Sequence, residues 1–392
     1  MKKIIFCSQY GLNLKNSTGG QQLRIKTSIQ ALQKVSKLEI VSRNISFEKY
    51  KKISISKKIN FFLAPSVKSK IQNNFLSFLI WRIKEFVYLK KDAEFLIDLY
   101  KKNNSDYIWI SYASQAFNLI KKIKQIDSTV KIIADTDSVF YKYFERRIPY
   151  VNFTKKIFLN FYYRYLRNNE KNMLKYADIT TAVSQHDRKI FKKLNSKSKI
   201  MIFRNAVKKN NIKKIKHSNF NVLLSGSFGD PNSPMNVSTR WFLNKIFPLI
   251  KDKIPNLKIF IIGVNSTLEF KNDNKIIVKD WVLDISKYFA LCDISAVPLK
   301  YETGTRFKIL EAGVYGLPVV STTLGAEGLN YRKNKSIIIA NSSAEFAEKI
   351  LYLYKNPKVA KRIAYANKKL VFSQYSINKL EEDAKKILYN II

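Results

Sequence analysis

Cysteine and histidine are scarce in this sequence, with 2 of each among 392 residues. Cys7 and Cys292 both lie within apolar runs, which favours two buried thiols in a reducing compartment over a disulfide. His186 follows a strand-like segment and His217 lies in a charged connector, so neither indicates a catalytic imidazole or a metal cluster. We therefore expect no metal site and no bound cofactor.

Long apolar runs are missing as well. A membrane-spanning helix needs roughly 20 consecutive apolar residues, and the longest candidate covers only residues 75–81. The first residues, MKKIIFCSQYGLN, turn polar too early for a signal peptide and fit a first β-strand. These features predict a cytoplasmic protein, with a peripheral position at the inner face of the membrane as a further hypothesis.

Acidic residues are few, 29 against 71 lysines and arginines, which gives a formal net charge of +42. Most of this excess lies in residues 1–210. Such a field favours polyanionic partners: nucleic acid, an anionic lipid surface or a phosphate-bearing substrate. A compositional bias towards lysine, with the charges solvated on outer faces, explains the same numbers. Charge alone does not decide between these explanations.

What the sequence does have is a repeated alternation of apolar strand-like runs and amphipathic helices, which predicts an α/β fold. The length suits two domains. The charged run KKNNIKKIKHS at 208–218 is the best linker, so the predicted domains are 1–209 and 219–372, followed by an amphipathic segment at 373–392. The predicted strands are 2–7, 38–42, 107–111 and 131–136 in the first half, and 221–225, 258–262, 275–278, 293–298, 318–322 and 336–340 in the second.

The run YETGTRFKILEAGVYGLP at 301–318 reads as a turn, an amphipathic helix and a stop between two strands. A loop that leaves a parallel strand and opens a helix exposes backbone N–H groups and the positive end of the helix dipole, which suits an anion. Glu311 lies about one turn into that helix, where a carboxylate can accept the two vicinal hydroxyls of a ribose.

The stretch TGTRFKILEAGVYGLPVVSTTLGAEGL resembles the nucleotide-sugar-binding segment of retaining glycosyltransferases with the GT-B fold, the group-1 (family 4) class, and the resemblance extends over nearly the whole chain. It implies two Rossmann-like, doubly wound domains facing a cleft, with the last helix crossing back to the first domain. The first domain would take the acceptor and the second the donor. In this family a glutamate pair flanks the loop. The second glutamate, which holds the ribose, is Glu311 here, and the first, which reaches the donor sugar, is replaced by Thr303, next to Glu302.

The same resemblance indicates which residues bind the phosphates of the donor. Many relatives place an arginine and a lysine after the glycine that corresponds to Gly226, but this chain has Ser227 there and no such lysine. Arg306 and Lys308 are the substitutes, together with the N–H groups of Gly304 and Thr305; plain solvated charges are the alternative. Trp281 and Val282 resemble the turn that contacts the base.

In the first domain the resemblance places Gly19, Gly20 and Arg24 near donor phosphates and acceptor, although an ordinary turn between strand and helix fits the first two equally well. Asp135 and Asp137 follow a predicted strand, at the edge of the sheet that faces a cleft in doubly wound folds. Both are candidate catalytic residues, with Asp137 standing where relatives often have histidine. A helix N-cap is the alternative for Asp137.

Two stretches, 53–100 and 155–169, combine aromatic residues with many lysines and arginines. Basic amphipathic helices of this kind can lie on an anionic membrane. Aromatic residues at helical spacing are more often core, and we weigh core above membrane for residues 53–100.

The leading hypothesis is a retaining hexosyltransferase that moves a sugar from a nucleoside diphosphate to an acceptor hydroxyl without a metal. The acceptor would be a sugar or a lipid-linked glycan, in cell-surface polysaccharide or glycolipid synthesis. The rivals are a basic nucleic-acid-binding protein, a nucleotide-sugar epimerase of the same fold and an inactive relative. No nucleic-acid-binding motif is visible, so we expect no specific nucleic-acid partner.

Overall fold

A computed structural model of the chain describes residues 1–10, 19–42, 61–63, 75–210 and 212–389, with the backbone alone for residues 61–63 and 75–88. Two parallel sheets, one of seven strands and one of six, form the centres of two α/β units. The predicted fold class is therefore confirmed. The predicted linker at 208–218 falls between the last strand of the first sheet and the first strand of the second.

The first unit begins with a strand and alternates strands with helices up to residue 202. Its strands are β1 (Lys2–Ser8), β2 (Ser36–Ser42), β3 (Phe61–Leu63), β4 (Tyr107–Ser111), β5 (Ile132–Asp135), β6 (Ile179–Ala182) and β7 (Ile200–Ile202). Its α-helices are α1 (Gly20–Val35), α2 (Phe75–Lys102), α3 (Phe117–Ile126), α4 (Phe140–Arg147), α5 (Phe153–Tyr176) and α6 (Gln185–Leu194), with a 3-10 turn at Ile148–Tyr150.

The second unit repeats this alternation. Its strands are β8 (Phe220–Ser225), β9 (Leu257–Ile262), β10 (Ile276–Lys279), β11 (Ile294–Val297), β12 (Val319–Ser321) and β13 (Ile338–Ile339). Its helices are α7 (Pro234–Trp241), α8 (Phe247–Ile250), α9 (Ser266–Glu269), α10 (Ser286–Leu291), α11 (Phe307–Val314), α12 (Ser343–Lys355), α13 (Pro357–Gln374) and α14 (Ile377–Tyr389), with a π-helical segment at Phe242–Ile246.

The order of the strands decides where a ligand can bind. The first sheet runs β3-β2-β1-β4-β5-β6-β7 and the second β10-β9-β8-β11-β12-β13. In both sheets, the second and third strands in the chain are added on one side of the first strand, and all later strands are added on its other side. Ligands of such sheets bind at this reversal, beyond the carboxyl ends of the strands. The reversal lies between β1 and β4 in the first unit and between β8 and β11 in the second.

The strands of the first sheet are buried on both faces, which is why they read as continuous apolar runs. In β1, Ile4 and Phe6 pack into a core on one face of the sheet, whereas Ile5 and Cys7 pack into the core on the other. This is the two-residue period of a strand. Cys7 and Cys292 are both buried, and neither forms a disulfide, as the sequence indicated.

Helix α14 belongs to the second half of the chain but packs against α1 of the first unit. Its apolar residues Leu380, Ala384 and Ile387 are part of the first unit's core. Asp383 on the same helix accepts from Arg204 at 2.6 and 3.0 Å. The last helix therefore crosses back and ties the two units together.

Part of the basic and aromatic stretch predicted at 53–100 forms helix α2, but the side chains of its first half, and residues 53–60 and 64–74, lie outside the described residues. Within the ranges that are described, no helix is long and apolar enough to cross a membrane.

Candidate active site

A cleft of about 920 Å³ opens between the two units, where the carboxyl ends of their strands face each other. Four loops at the strand reversals supply most of its wall, those following β1, β4, β8 and β11. The predicted site residues that line the cleft are Gly19, Gly20, Arg24, Asp137, Gly226, Ser227, Trp281, Val282, Thr303, Thr305, Arg306, Lys308 and Glu311. Asp135 and Gly304 do not line it.

Glu311 lies on α11, whose other faces bury Ile309, Leu310 and Val314 in the second unit. This packing turns the carboxylate towards the cleft, where it is half-buried. Burial raises the pKa of Glu311 to about 7, against the smaller opposing effect of the nearby Lys308 ammonium. A carboxylate in this position is an acceptor for hydroxyl groups of a ligand.

Lys308 lies one helical turn before Glu311 and also points into the cleft. Its Nζ is 2.6 Å from the sulfur of Met235. A Cβ added to Gly226 would collide with Met235 and stand 3.1 Å from the same Nζ. The absence of a side chain at Gly226 therefore makes room for the ammonium group of Lys308. Burial lowers the pKa of Lys308 to about 8. The ammonium group of Lys308, which lies on α11, is therefore next to the loop that follows β8.

Arg306 immediately precedes α11 and is almost fully buried, with 4% of its surface exposed. Its Nη2 donates to the carbonyl of Leu324 at 3.0 Å. Its Nε and Nη1 are buried and have no hydrogen-bond partner among the described residues. A buried guanidinium with unpaired donors is suited by its charge to bind an anion. Burial also lowers its pKa.

The turn before α11 touches the first unit directly. Gly304 has a φ of +73°, and an added Cβ would stand 2.5 Å from the carbonyl oxygen of Asp137. Thr305 accepts from the side-chain amide of Asn205 at 2.8 Å through its hydroxyl. Gly304 therefore does not line the cleft itself. Its lack of a side chain lets the backbones of the two units approach each other closely at this turn.

Asp135 forms a buried ion pair with Arg24, which corrects the prediction that Asp135 faces the cleft. Nη2 of Arg24 is 2.6 Å from Oδ1 of Asp135, and the two side chains are 3% and 1% exposed. The same carboxylate accepts from the hydroxyl of Thr181 at 2.6 Å, and Nη1 of Arg24 donates to Asn205 at 2.7 Å. Asp135 thus faces Arg24 instead of the cleft, and the charge of Arg24 is paired inside the protein.

Asp137, two residues further on, does reach the cleft and is half-buried there. Burial raises its pKa to about 6, against the lowering effect of Arg24. Thr303, on the opposite wall, is also half-buried, and its N–H is bonded to the carboxylate of Glu302 at 3.0 Å. Two carboxylates, Asp137 and Glu302, therefore face the same cavity from the two units.

Trp281 and Val282 follow β10 and form the outer wall of the cleft on the side of the second unit. Trp281 is 46% exposed. Together with the loop at Gly226 and Ser227, they line the same cleft as Lys308 and Arg306. A planar base can pack on such a wall.

Several lining residues were not assigned to the site from the sequence: Glu302, Tyr112, Gln115 and Asn205. Tyr112 directly follows β4 at the strand reversal and has a φ of +53°, a conformation that is rare for a bulky residue. Its position after an apolar strand was the available signal. Gln115 accepts from the hydroxyl of Tyr10, which packs edge-on against Tyr112. No group of three metal-ligating side chains occurs in the described ranges.

Comparison with protein families places a known domain on the second unit. Residues 220–356 match the family model described as glycosyl transferases group 1. A curated relative, an uncharacterized 44.6 kDa protein in the cps region of Klebsiella pneumoniae, is 27% identical over 185 residues. That alignment covers 44% of this chain and 45% of the relative, so the chain spans under half the length of this protein.

Solved structures share the architecture over the whole chain. Sucrose-phosphate synthase from Thermosynechococcus elongatus has a TM-score of 0.74 at 12% identity, with 100% of this chain and 99% of that chain covered. HepE from Anabaena, solved with UDP-glucose, has a TM-score of 0.66 at 13% identity, with 100% of both chains covered. WaaG, a glycosyltransferase involved in lipopolysaccharide biosynthesis, has a TM-score of 0.66 at 14% identity, with 98% of this chain and 99% of that chain covered.

The whole chain thus shares the GT-B fold of these solved structures. Residues 220–356 of its second unit match the group 1 glycosyltransferase model, so the resemblance predicted from the sequence is confirmed at this level.

Proposed function

We propose that the protein transfers a hexose from a nucleoside diphosphate sugar to an acceptor hydroxyl, with retention of configuration. The observation that carries this proposal is the grouping of Glu311, Lys308 and Arg306 on and before one helix, at the strand reversal of the donor unit. Glu311 holds the ribose hydroxyls. Lys308, Arg306 and the N–H groups at the start of α11 neutralise the diphosphate.

In the proposed reaction the bond between the anomeric carbon and the diphosphate oxygen breaks, and a bond from the acceptor oxygen to that carbon forms on the same face. The acceptor proton passes to the departing phosphate oxygen. The chain's part is to stabilise the charge that develops on the diphosphate and to hold both substrates in register. Asp137 and Glu302 face the region of the cleft between these groups and Tyr112, and orient the hydroxyls of donor sugar and acceptor.

The acceptor we propose is a sugar or a lipid-linked glycan of a cell-surface polysaccharide or glycolipid. Support comes from the relative found in a cps region and from the structural similarity to a lipopolysaccharide glycosyltransferase. Nucleic-acid binding is not favoured, because the matched domain and the cleft account for the phosphate-binding residues without a nucleic-acid motif.

A thermal-shift screen of UDP, GDP, ADP and their sugars tests the proposal. A ligand that binds only the folded protein stabilises it by about 2.7 kcal/mol at a concentration 100 times its dissociation constant. One diphosphate and its sugar should raise the melting temperature, and the Lys308→Met variant should lose most of that shift. A protein that none of these ligands stabilises, but that nucleic acid stabilises, would overturn the proposal.

A further inference from the structure

Helix α5 turns one apolar face inwards and a second apolar face outwards. Leu159, Leu166, Met173 and Leu174 are buried in the first unit. On the outer side of the first three turns, five large apolar residues are exposed. Their exposed fractions are 75% for Phe153, 48% for Ile157, 62% for Phe158, 69% for Phe161 and 45% for Tyr165.

The spacing of these five residues keeps them within one arc of the helix, opposite the buried face. Single exposed apolar residues are common on protein surfaces, but a contiguous group of this kind marks an interaction site. We call these five residues the α5 ridge. Four of its five side chains are aromatic rings, those of Phe153, Phe158, Phe161 and Tyr165.

The charges on the same helix are almost all positive. Its basic residues are Lys155, Lys156, Arg164, Arg167, Lys171 and Lys175. Its one carboxylate, Glu170, is buried and accepts from Ser114 at 2.6 Å and from the N–H groups of Phe140 and Tyr141 at 3.0 and 2.8 Å. Helix α5 therefore presents apolar and cationic groups to the outside, and no exposed carboxylate of its own.

We propose that the α5 ridge is a docking surface for an anionic lipid bilayer. The phenylalanines insert at the boundary between headgroups and acyl chains, while the flanking lysines and arginines contact lipid phosphates. This is the composition of helices that lie in a membrane interface. A second copy of this chain fits the ridge poorly, because two molecules that each carry a formal charge of +42 repel each other.

The ridge is connected to the cleft by a continuous series of aromatic rings. Phe158 stacks on Tyr162 with centroids 5.4 Å apart, and Tyr162 meets Phe144 at 4.9 Å. Phe144 contacts Tyr143 at 5.2 Å, and Tyr143 contacts Tyr301 at 5.8 Å. Tyr301 begins the turn that carries the cleft residues after β11. The ridge is therefore linked through packed rings to the turn that carries cleft residues, which suits a lipid-linked acceptor; this last point alone rests on the proposed function.

Flotation with lipid vesicles tests the docking surface without any sugar donor. The full chain is mixed with vesicles of phosphatidylcholine alone, or of phosphatidylcholine with phosphatidylglycerol. We expect it to float with the anionic vesicles only, and to be released as salt increases. The double variant Phe158→Glu and Phe161→Glu should partition about tenfold or more weakly, since both rings leave the lipid. Lys155→Glu with Arg164→Glu should reduce the anionic preference while the ridge stays intact.

The matched control is Leu268→Glu with Tyr365→Glu, which makes the same charge change at residues 79% and 72% exposed on the second unit. It should float like the wild type. Equal flotation of the ridge variant and the control would overturn the proposal, as would a wild type that stays with neither kind of vesicle. A wild type that forms a dimer split by the ridge variant would also overturn it, in favour of a second copy. Because no donor is present, failure here leaves the proposed transferase activity unaffected.

Discussion

Glu311 and Lys308 lie one turn apart on α11, and burial moves the pKa values of both towards neutrality. The pKa of Glu311 is raised to about 7 and that of Lys308 is lowered to about 8. Burial disfavours the charged form of each group, so one becomes easier to protonate and the other easier to deprotonate. Their charges therefore depend on pH within the physiological range.

This pair should give the affinity for a nucleoside diphosphate a maximum between about pH 7 and 8. At pH values below this maximum, Glu311 gains a proton and loses the negative charge that attracts hydroxyl donors. Above it Lys308 loses the proton that makes it a cation for phosphate. Calorimetric titrations across pH check this. Glu311→Gln should flatten the acid limb only and Lys308→Met the alkaline limb only; a wild-type affinity that is constant from pH 6 to pH 9 would contradict the assignment.

Asp135 and Asp137 are close in sequence but should respond oppositely to the same substitution. Asp135→Asn leaves the buried guanidinium of Arg24 without its charge partner, which should reduce the free energy of unfolding by about 3–5 kcal/mol. Asp137→Asn removes a half-buried charge at the cleft wall and should lower turnover with little change in stability. Urea denaturation and steady-state kinetics of both variants separate the roles. Equal losses of stability would refute the distinction.

At the scale of elements, the turn into α11 depends on Gly304. An alanine at a φ of +73° costs about 1–2 kcal/mol, and its Cβ would also press on the Asp137 carbonyl of the other unit. We expect Gly304→Ala to weaken donor binding as well as stability. Gly316→Ala is the control, because Gly316 has a φ of +65° but its added Cβ would find no atom nearer than 3.7 Å. If both variants bind the donor with the same affinity, the contact between the units at Gly304 does not contribute to donor binding.

The sequence predicted those elements whose signal is local. The strands that follow the linker and the turn and helix at 301–318 were found close to their observed bounds, because apolar period, glycine and helix stop all lie within a few residues. Asp135 was misplaced because its partner, Arg24, lies 111 positions away, and no local pattern reveals such a pairing. The outer face of α5 was equally hidden: the sequence shows that the helix is aromatic, but only the packed unit shows which aromatic residues remain outside.

At the scale of the whole molecule, the two units are held together by ion pairs as well as by α14. Arg146 on α4 binds Glu327 of the second unit through both terminal nitrogens, at 2.7 and 2.9 Å. It also donates to the backbone carbonyl of Glu302 at 2.7 Å, beside the cleft. Arg147 reaches Asp230 at 2.8 Å. Helix α4 thus joins the two units beside the cleft.

We expect Arg146→Ala to open the ligand-free molecule, which small-angle X-ray scattering would detect as a larger radius of gyration. Lys142→Ala on the same helix is the control, because Lys142 pairs with Glu145 inside its own unit. A coupling energy between Arg146 and Glu327 of about 0.5–3 kcal/mol should emerge from a double-mutant cycle on stability. Identical scattering from the wild type, Arg146→Ala and Lys142→Ala would show that the contacts of Arg146 do not set the distance between the units.

The central claim is that Glu311 grips the ribose of a nucleotide held in the cleft, and calorimetry of one matched set tests it most directly. The set is a nucleoside diphosphate and its 2′-deoxy analogue, each titrated into the wild type, Glu311→Gln and the control Glu348→Gln, whose carboxylate lies on α12 and is 68% exposed. Loss of hydrogen bonds to a charged group costs about 1.5–3 kcal/mol, or about 10- to 150-fold in affinity. The wild type and Glu348→Gln should both lose this much with the deoxy analogue, whereas Glu311→Gln should bind both nucleotides with similarly weak affinity. A Glu311→Gln variant that binds as tightly as the wild type and still discriminates the ribose hydroxyl would contradict the claim.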